Sequence, residues 1–319
     1  MTQETKRPVV GRFAPSPSGR LHLGNLGCSL LAWLSAKSKG GKIVLRIEDL
    51  DATRCPRSFA DQIEEDLDYL GLFWDEGGSA GGPDMPYYQS ECSSIYDAVY
   101  AQLQEKELLY PCFCSRAALH AASAPHRSDG DVIYPGTCRN LTEAERNLRR
   151  QKKAPAVRVI VPDREIAFTD GHLGHYAENL ARDCGDFVVR RGDGVYAYQL
   201  AVTVDDARMG VTEVVRGADL LPSTPRQLYL YQTLGLQAPE FYHCPLLLAP
   251  GGRRLSKRDG DDSLENLRAK YSAAEIIGKL AWVYGIQPTP EPAMPADLID
   301  SFDWAKVPKT DVTLPEGLF

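Results

Sequence analysis

The stretch RFAPSPSGRLHLGN, residues 12–25, decides the fold. Ahead of it Val9 and Val10 make a short apolar strand, and within it Pro15, Pro17 and Gly19 forbid regular structure and enforce a turn. After it Leu26, Leu30, Leu31 and Leu34 recur along one face of a helix. The order is strand, tight loop, helix N-terminus. Backbone N–H groups and the positive end of a helix dipole meet there, which suits a phosphate. Gly24 lets a nucleotide approach the backbone closely, and His22 sets a polar side chain beside it. A proline-rich turn that only caps a helix is the plainer reading, so the rest of the chain has to decide.

Residues 42–49, KIVLRIED, supply the next strand. Ile43, Val44, Leu45 and Ile47 form the near-continuous apolar run of a strand buried on both faces of a parallel sheet. Glu48 and Asp49 follow at its C-terminal end, where open α/β sheets bind ligands. Residues 58–70 carry Ile63, Leu67 and Leu70 at helical spacing, and residues 92–109 carry Ile95, Val99 and Leu103. Strand, helix, strand, helix predicts an α/β, doubly wound, Rossmann-like parallel sheet. At Tyr110 the texture changes, and residues 111–185 read as an insertion with its own small fold, including a strand at 156–162. The sheet is expected to resume with strands at 187–191 and 196–206, the second able to continue into a helix, then a strand at 211–220. A helix at 224–234 has Pro225 in its first turn. Residues 244–260 read as a buried strand entering a glycine-rich basic loop, and residues 273–284 as a helix. The expected organisation is a catalytic domain of residues 1–110 and 186–258, an insertion domain of 111–185, and a short C-terminal helical segment of 259–319.

The 319 residues are 43% hydrophobic and 25% charged, an ordinary globular composition that excludes a fibrous or disordered chain. No apolar run approaches a membrane span, and MTQETKRPVV lacks a signal peptide's apolar core, so the expected location is cytoplasmic, with no membrane partner. Eight cysteines in a chain this long do not make a disulfide scaffold; in a reducing compartment they are free thiols or metal ligands. The net charge of −7 gives no global sign of nucleic acid. One local basic stretch does: Arg139, Arg146, Arg149, Arg150, Lys152, Lys153 and Arg158, relieved by Glu143 and Glu145, with a solvated helix surface as the competing reading.

Two further clusters carry chemistry. RLSKR, residues 254–258, is followed by DGD. The segment resembles the KMSKS loop of class I aminoacyl-tRNA synthetases, and the resemblance implies ATP chemistry. A carboxylate attacking the α-phosphate needs no general base but positive charge on the triphosphate as pyrophosphate leaves. Lys257 would supply it as a mobile point charge, Ser256 and loop N–H groups as donors, and His22 from across the site. The other cluster is Cys112-x-Cys114, nineteen residues, then Tyr134-x-x-x-Cys138. Two thiolates one residue apart grip an ion from a tight turn, and a third cysteine with a phenolate or imidazole closes a tetrahedral site. Tyr134, His120 and His126 compete for the fourth position. Cys28, Cys55, Cys92, Cys184 and Cys244 are scattered and read as core or surface thiols.

Residues 12–25 resemble the HIGH signature of class I aminoacyl-tRNA synthetases, with Asn25 in place of the last His, and RFAPS and PSPSG narrow the resemblance to the glutamyl group. RLSKR resembles the KMSKS loop, with Arg254 for the lead Lys and Arg258 for the final Ser. The resemblance covers residues 12 to about 285. It implies ATP with Mg²⁺, bound by His22, Gly24, Asn25 and Lys257, with His22, Ser256 and Lys257 catalytic. It implies a glutamate pocket of Arg12, Phe13, Ala14, Pro15 and Ser16 from RFAPS, Glu48 from RIED, Tyr198 from YQLAVTVDD and Arg216 from VVRGADL. It also implies one structural zinc on Cys112, Cys114, Tyr134 and Cys138. Glutamate suits that pocket: two guanidinium groups face its carboxylates and Glu48 faces its ammonium. Asp205 and Asp206 face the same rim and receive no role.

A discriminating glutamyl-tRNA synthetase continues past the SKRDG region into a long helical anticodon-binding region; here about sixty residues follow, room for a few helices. The pattern is similar to that of the glutamyl-Q tRNA(Asp) synthetase family, short paralogues of glutamyl-tRNA synthetase. The resemblance implies an AMP-forming ligase, a monomer, that activates L-glutamate without tRNA and transfers it to the queuosine base in the anticodon loop of tRNA(Asp). The alternatives are a truncated glutamyl-tRNA synthetase charging the 3′ end of tRNA(Glu), and a catalytically retired paralogue that holds glutamate or tRNA. Retention of His22, Lys257 and the pocket argues against the last.

Overall fold

Strand β1 (Val10–Phe13) is buried along its whole length and runs into the proline-rich loop. Helix α1 (Leu23–Lys37) follows it and is apolar on nearly every side, with Leu26, Leu30, Leu31 and Leu34 fully buried. Gly27 is required by packing: a Cβ there would stand 2.5 Å from the Tyr284 hydroxyl. Strand β2 (Lys42–Leu45) pairs parallel to β1, with Arg12 opposite Val44, and after α2 (Arg57–Tyr69) strand β3 (Glu76–Gly77) adds parallel to β2. Helix α3 (Ser93–Glu105) follows. These coordinates are those of a computed structural model, which describes residues 7–115, 133–253, 255 and 263–319.

The inserted unit is antiparallel. Strand β4 (Leu109–Cys112), helix α4 (Glu143–Arg150, with a Thr142/Glu145 capping box), strand β5 (Ala156–Val159), the hairpin of β6 (Glu165–Asp170) and β7 (Gly174–Asn179), helix α5 (Leu180–Asp183) and strand β8 (Phe187–Arg190) follow in order. β4, β5 and β8 form one sheet. The expectation that the parallel sheet resumes at 187 is therefore corrected, since β8 pairs antiparallel with β5. The reason is visible in its pattern: FVVR alternates buried and half-buried positions, as a one-faced antiparallel strand does.

The expectation of a strand at 196–206 is also corrected: Tyr198–Arg208 is helix α6. Seven consecutive residues, 200–206, are buried, so no polar face marks the helical period, and the β-branched Val202, Thr203 and Val204 mimic a strand. Strand β9 (Glu213–Gly217), helix α7 (Thr224–Leu234) and strand β10 (Glu240–Cys244) complete a second parallel pair. It lies beside β1, where the Thr212 N–H donates to the Val10 carbonyl at 2.9 Å. The chain is thus α/β, parallel strands linked by helices, with an antiparallel unit inserted.

Strand β11 (Leu247–Leu248) precedes helices α8 (Leu264–Arg268) and α9 (Ala273–Val283). The tail is α-helical in that first part and has one later 3-10 turn, Pro295–Leu298. It then runs irregularly back to the body, where strand β12 (Val312–Thr313) pairs with β11 and the Trp304 indole N–H donates to Ser35 at 2.9 Å. Arg254, Ser256, Lys257 and Arg258 of the basic loop, and His120 and His126, lie outside the described residues. Among the described residues no helix is long and apolar enough to cross a membrane.

Candidate active site

The C-terminal ends of β1, β9 and β10 open onto a cavity of about 690 Å³. Every described member of the anticipated nucleotide and glutamate sets lines it: Arg12, Phe13, Ala14, Pro15, Ser16, His22, Gly24, Asn25, Glu48, Tyr198 and Arg216. Leu255 lines it too, and Ser263 forms a β-bridge with His22 while the Leu264 N–H donates to the Leu21 carbonyl at 3.1 Å. Described residues of the basic loop and its exit therefore adjoin the HLGN turn.

His22 is the N-cap of α1. Its Nδ1 accepts the Gly24 N–H at 3.1 Å, and its own N–H donates to Asn25 Oδ1 at 3.4 Å, a reciprocal capping box. With Nδ1 accepting, the ring proton sits on Nε2, which makes His22 a donor. Gly24 serves this cap directly, because a Cβ there would meet the His22 ring at 3.1–3.2 Å. Asn25, in place of a histidine, thus has a physical task at the helix start.

Arg12 is buried; its Nη1 donates to the Val215 carbonyl at 2.9 Å, and its Nε lies 3.8 Å from Asp206 with no hydrogen-bond partner among the described residues. Arg46, wholly buried, was not singled out by the sequence reading and proves central. It donates to Asp206 at 2.6 Å and to Glu48 Oε1 at 3.1 Å, with Asp205 4.0 Å from its Nε. Its signal was an arginine inside the apolar run KIVLRIED. Burial pushes the Glu48 carboxyl above the usual carboxylate range, against the pull of Arg46 and Arg12. Asp205 accepts from Gln89 at 2.8 Å, Tyr96 at 2.7 Å and Arg208 at 2.8 Å. Asp205 and Asp206 are thus the counter-ions of buried arginines. Burial raises the Tyr198 hydroxyl, leaving it a neutral donor and acceptor at the first turn of α6. Across the cavity Arg216, also buried, is bonded among the described residues only to neutral side chains, His243, Gln227 and Thr224. The site can therefore hold a dianion between Arg12 and Arg216, an ammonium at Glu48, and phosphates at the N-terminus of α1.

In the inserted unit the sulfurs of Cys112, Cys114 and Cys138 lie within 4.8 Å of one another, those of Cys114 and Cys138 at 3.7 Å. The Tyr134 hydroxyl is 3.5 Å from Cys112 Sγ and accepts the Cys138 N–H at 2.9 Å. A tetrahedral zinc has sulfur–sulfur edges of about 3.7 Å and sulfur–oxygen edges of about 3.5 Å, so the donor set fits such an ion. Arg158 donates to Cys112 Sγ at 3.3 Å and stacks on the Tyr134 ring at 3.7 Å, while Arg149 reaches Cys138 Sγ at 3.8 Å. Arg158 is buried and so leaves the anticipated basic face. Arg146 and Arg150 pair with Glu143, Arg139 pairs with Asp186, and Lys153 donates to the Cys114 carbonyl.

A parallel α/β body with this loop at the C-terminal ends of its strands is the arrangement of a class I synthetase catalytic domain. Residues 8–293 match the family described as tRNA synthetases class I (E and Q), catalytic domain, and the chain belongs to that family. Within it the chain is similar to the glutamyl-Q tRNA(Asp) synthetases. It is 52% identical over 312 residues to the one from Symbiobacterium thermophilum, covering 96% of each chain. It is 47% identical to that of Nitratidesulfovibrio vulgaris, covering 97% of each. Among solved structures it is similar to a glutamate tRNA ligase from Elizabethkingia meningosepticum in complex with its amino acid. That match has a TM-score of 0.82 and 33% identity, covering 98% of this chain and 68% of the other.

Proposed function

We propose that this chain activates L-glutamate with ATP to glutamyl-adenylate without tRNA, and transfers the glutamate to the queuosine base of tRNA(Asp). The observation that carries the reading is the pairing of two buried guanidinium groups with one buried carboxylate in a cavity that also holds the capped N-terminus of α1. Arg12 and Arg216 take the two carboxylates of glutamate and Glu48 takes its ammonium. Tyr198, Ser16 and the backbone of Phe13, Ala14 and Pro15 shape the wall. The ATP phosphates lie against His22, Gly24 and Asn25. The α-carboxylate oxygen attacks the α-phosphorus; the new P–O bond forms as the bond to pyrophosphate breaks. His22, Ser256 and Lys257 offset the charge that gathers on the leaving pyrophosphate. Bound Mg²⁺ would supply further neutralisation of the triphosphate. Cys112, Cys114, Tyr134 and Cys138 would hold one zinc, which would order the inserted unit. The names of the relatives supply the acceptor.

The test is glutamate-dependent exchange of labelled pyrophosphate into ATP with no RNA present. Exchange is expected, and Lys257→Ala should lower its rate about 10²–10³-fold, the scale for one lost transition-state donor. Exchange that appears only on adding tRNA would overturn the reading.

A further inference from the structure

Arg216 carries five N–H hydrogens. Nε–H points to Nε2 of His243 at 3.0 Å, Nη1 donates to Gln227 Oε1 at 2.8 Å, and Nη2 donates to Thr224 Oγ1 at 2.7 Å. Two hydrogens remain, one on each terminal nitrogen, on a side chain that lines the cavity. That is the fork a carboxylate takes with both oxygens. Gln227 is itself fixed, its Nε2 donating to Gln199 Oε1 at 3.0 Å.

The orientation of this fork traces back to His243. A guanidinium cannot accept a hydrogen bond, so Nε2 of His243 must carry the lone pair, and Thr224 Oγ1 also approaches it at 3.3 Å. The ring proton then belongs to Nδ1, 2.6 Å from Asp170 Oδ2. The other Asp170 oxygen accepts the backbone N–H groups of His172 at 2.9 Å, Leu173 at 2.8 Å and His243 at 3.2 Å. Asp170 ends strand β6 and is clamped from four directions, and His243 is fully buried. Burial first, with help from the charge of Arg216, holds His243 below its usual pKa and hence neutral.

Resting on the glutamate pocket proposed above, we infer that Asp170 and His243 are positioning residues for that pocket: Asp170 fixes the proton of His243 on Nδ1, and the resulting Nε2 lone pair aims Arg216 at a substrate carboxylate. Neither residue touches substrate. The inserted unit thereby reaches the amino-acid site through one carboxylate at the tip of its β6–β7 hairpin.

The test uses the full-length protein, RNA-free pyrophosphate exchange over a range of glutamate and ATP concentrations, and calorimetric titration with glutamate. In His243→Gln the side-chain oxygen falls near the place of Nε2, so KM for glutamate should stay within a few-fold of wild type. His243→Asn is too short to reach Arg216 Nε. Asp170→Asn turns an amide N–H toward Nδ1 and favours the wrong tautomer. In both, KM and Kd for glutamate should rise about 10–100-fold, the scale of a buried donor left unpaired, with KM for ATP unchanged and kcat within a few-fold. If His243→Asn and Asp170→Asn lower the melting temperature or the active fraction but leave glutamate KM and Kd unchanged, the two residues are only structural and the inference falls. If wild type shows no exchange, the function proposed above fails instead, and the Kd values of the same variants still decide the inference.

Discussion

Glu48 is where the chemistry of a single residue is most exposed to test. Its carboxyl titrates above the ordinary range because it is buried, yet it must be ionised to hold an ammonium. The kcat/KM for glutamate should therefore fall as pH drops through that raised value, and the inflection should vanish in Glu48→Gln. A pH profile of exchange that is the same in both proteins would remove Glu48 from the pocket. Losing a charge-assisted hydrogen bond of about 1.5–3 kcal/mol should cost Glu48→Gln roughly 10–100-fold in glutamate affinity. Stability moves the other way. A carboxyl whose folded pKa is raised contributes stability below its unfolded pKa, and that contribution is lost as pH rises through the folded pKa. At neutral pH the variant, whose amide oxygen can still accept from Arg46, should melt no lower than wild type. Most pocket residues were legible because short motifs carry them. Arg46, Thr224, Gln227, His243 and Asp170 were not, because their meaning lies in partners far away in sequence: Asp206 is 160 residues from Arg46, and His243 is 73 from Asp170. A histidine in the strand-like run FYHCPLLL was the one available hint.

Among the elements, α1 joins stability to catalysis through its cap. His22→Asn keeps a good N-cap side chain and loses the ring donor, whereas His22→Ala loses both; only the alanine should lower stability, by about 0.5–2 kcal/mol. Both should exchange pyrophosphate poorly. Full activity in His22→Asn would reduce His22 to a helix cap. The inserted unit offers a parallel case. Cys112→Ser or Cys138→Ser should abolish the one zinc per chain expected on elemental analysis, and should loosen the region around β4 and α4 first by hydrogen exchange, because small metal sites couple binding to local folding. A carefully prepared wild type without metal would leave plain thiols. Helices α2 and α3 were legible because each keeps a solvent face and so shows its period. Helix α6 hides its period by being buried all round, and β8 hides its place by having the apolar composition of the parallel strands while pairing antiparallel with β5.

At the scale of the whole molecule, the basic stretch of the insertion is not one free surface. Arg149, Lys153 and Arg158 point at the cysteine cluster, Arg139 pairs with Asp186 and Arg146 with Glu143, while Arg150 and Lys152 are exposed. Replacing Arg150 and Lys152 with Ala should raise KM for RNA and flatten its salt dependence, since each lost phosphate contact removes counterion release, yet leave RNA-free activation unchanged. An unaltered salt dependence would make this stretch a solvated helix surface. The proposed glutamate pocket accounts for activation; the choice of acceptor is the central claim and is tested by where the glutamate goes. The direct measurement offers labelled glutamate and ATP to two isolated anticodon stem-loops of tRNA(Asp), one bearing queuosine and one plain guanosine, beside intact tRNA(Glu). Unstacked loop bases are readily splayed into a protein pocket, so the queuosine stem-loop alone should become labelled. Label on the 3′-terminal adenosine of tRNA(Glu), abolished by periodate treatment of that end, with none on the queuosine loop, would contradict it.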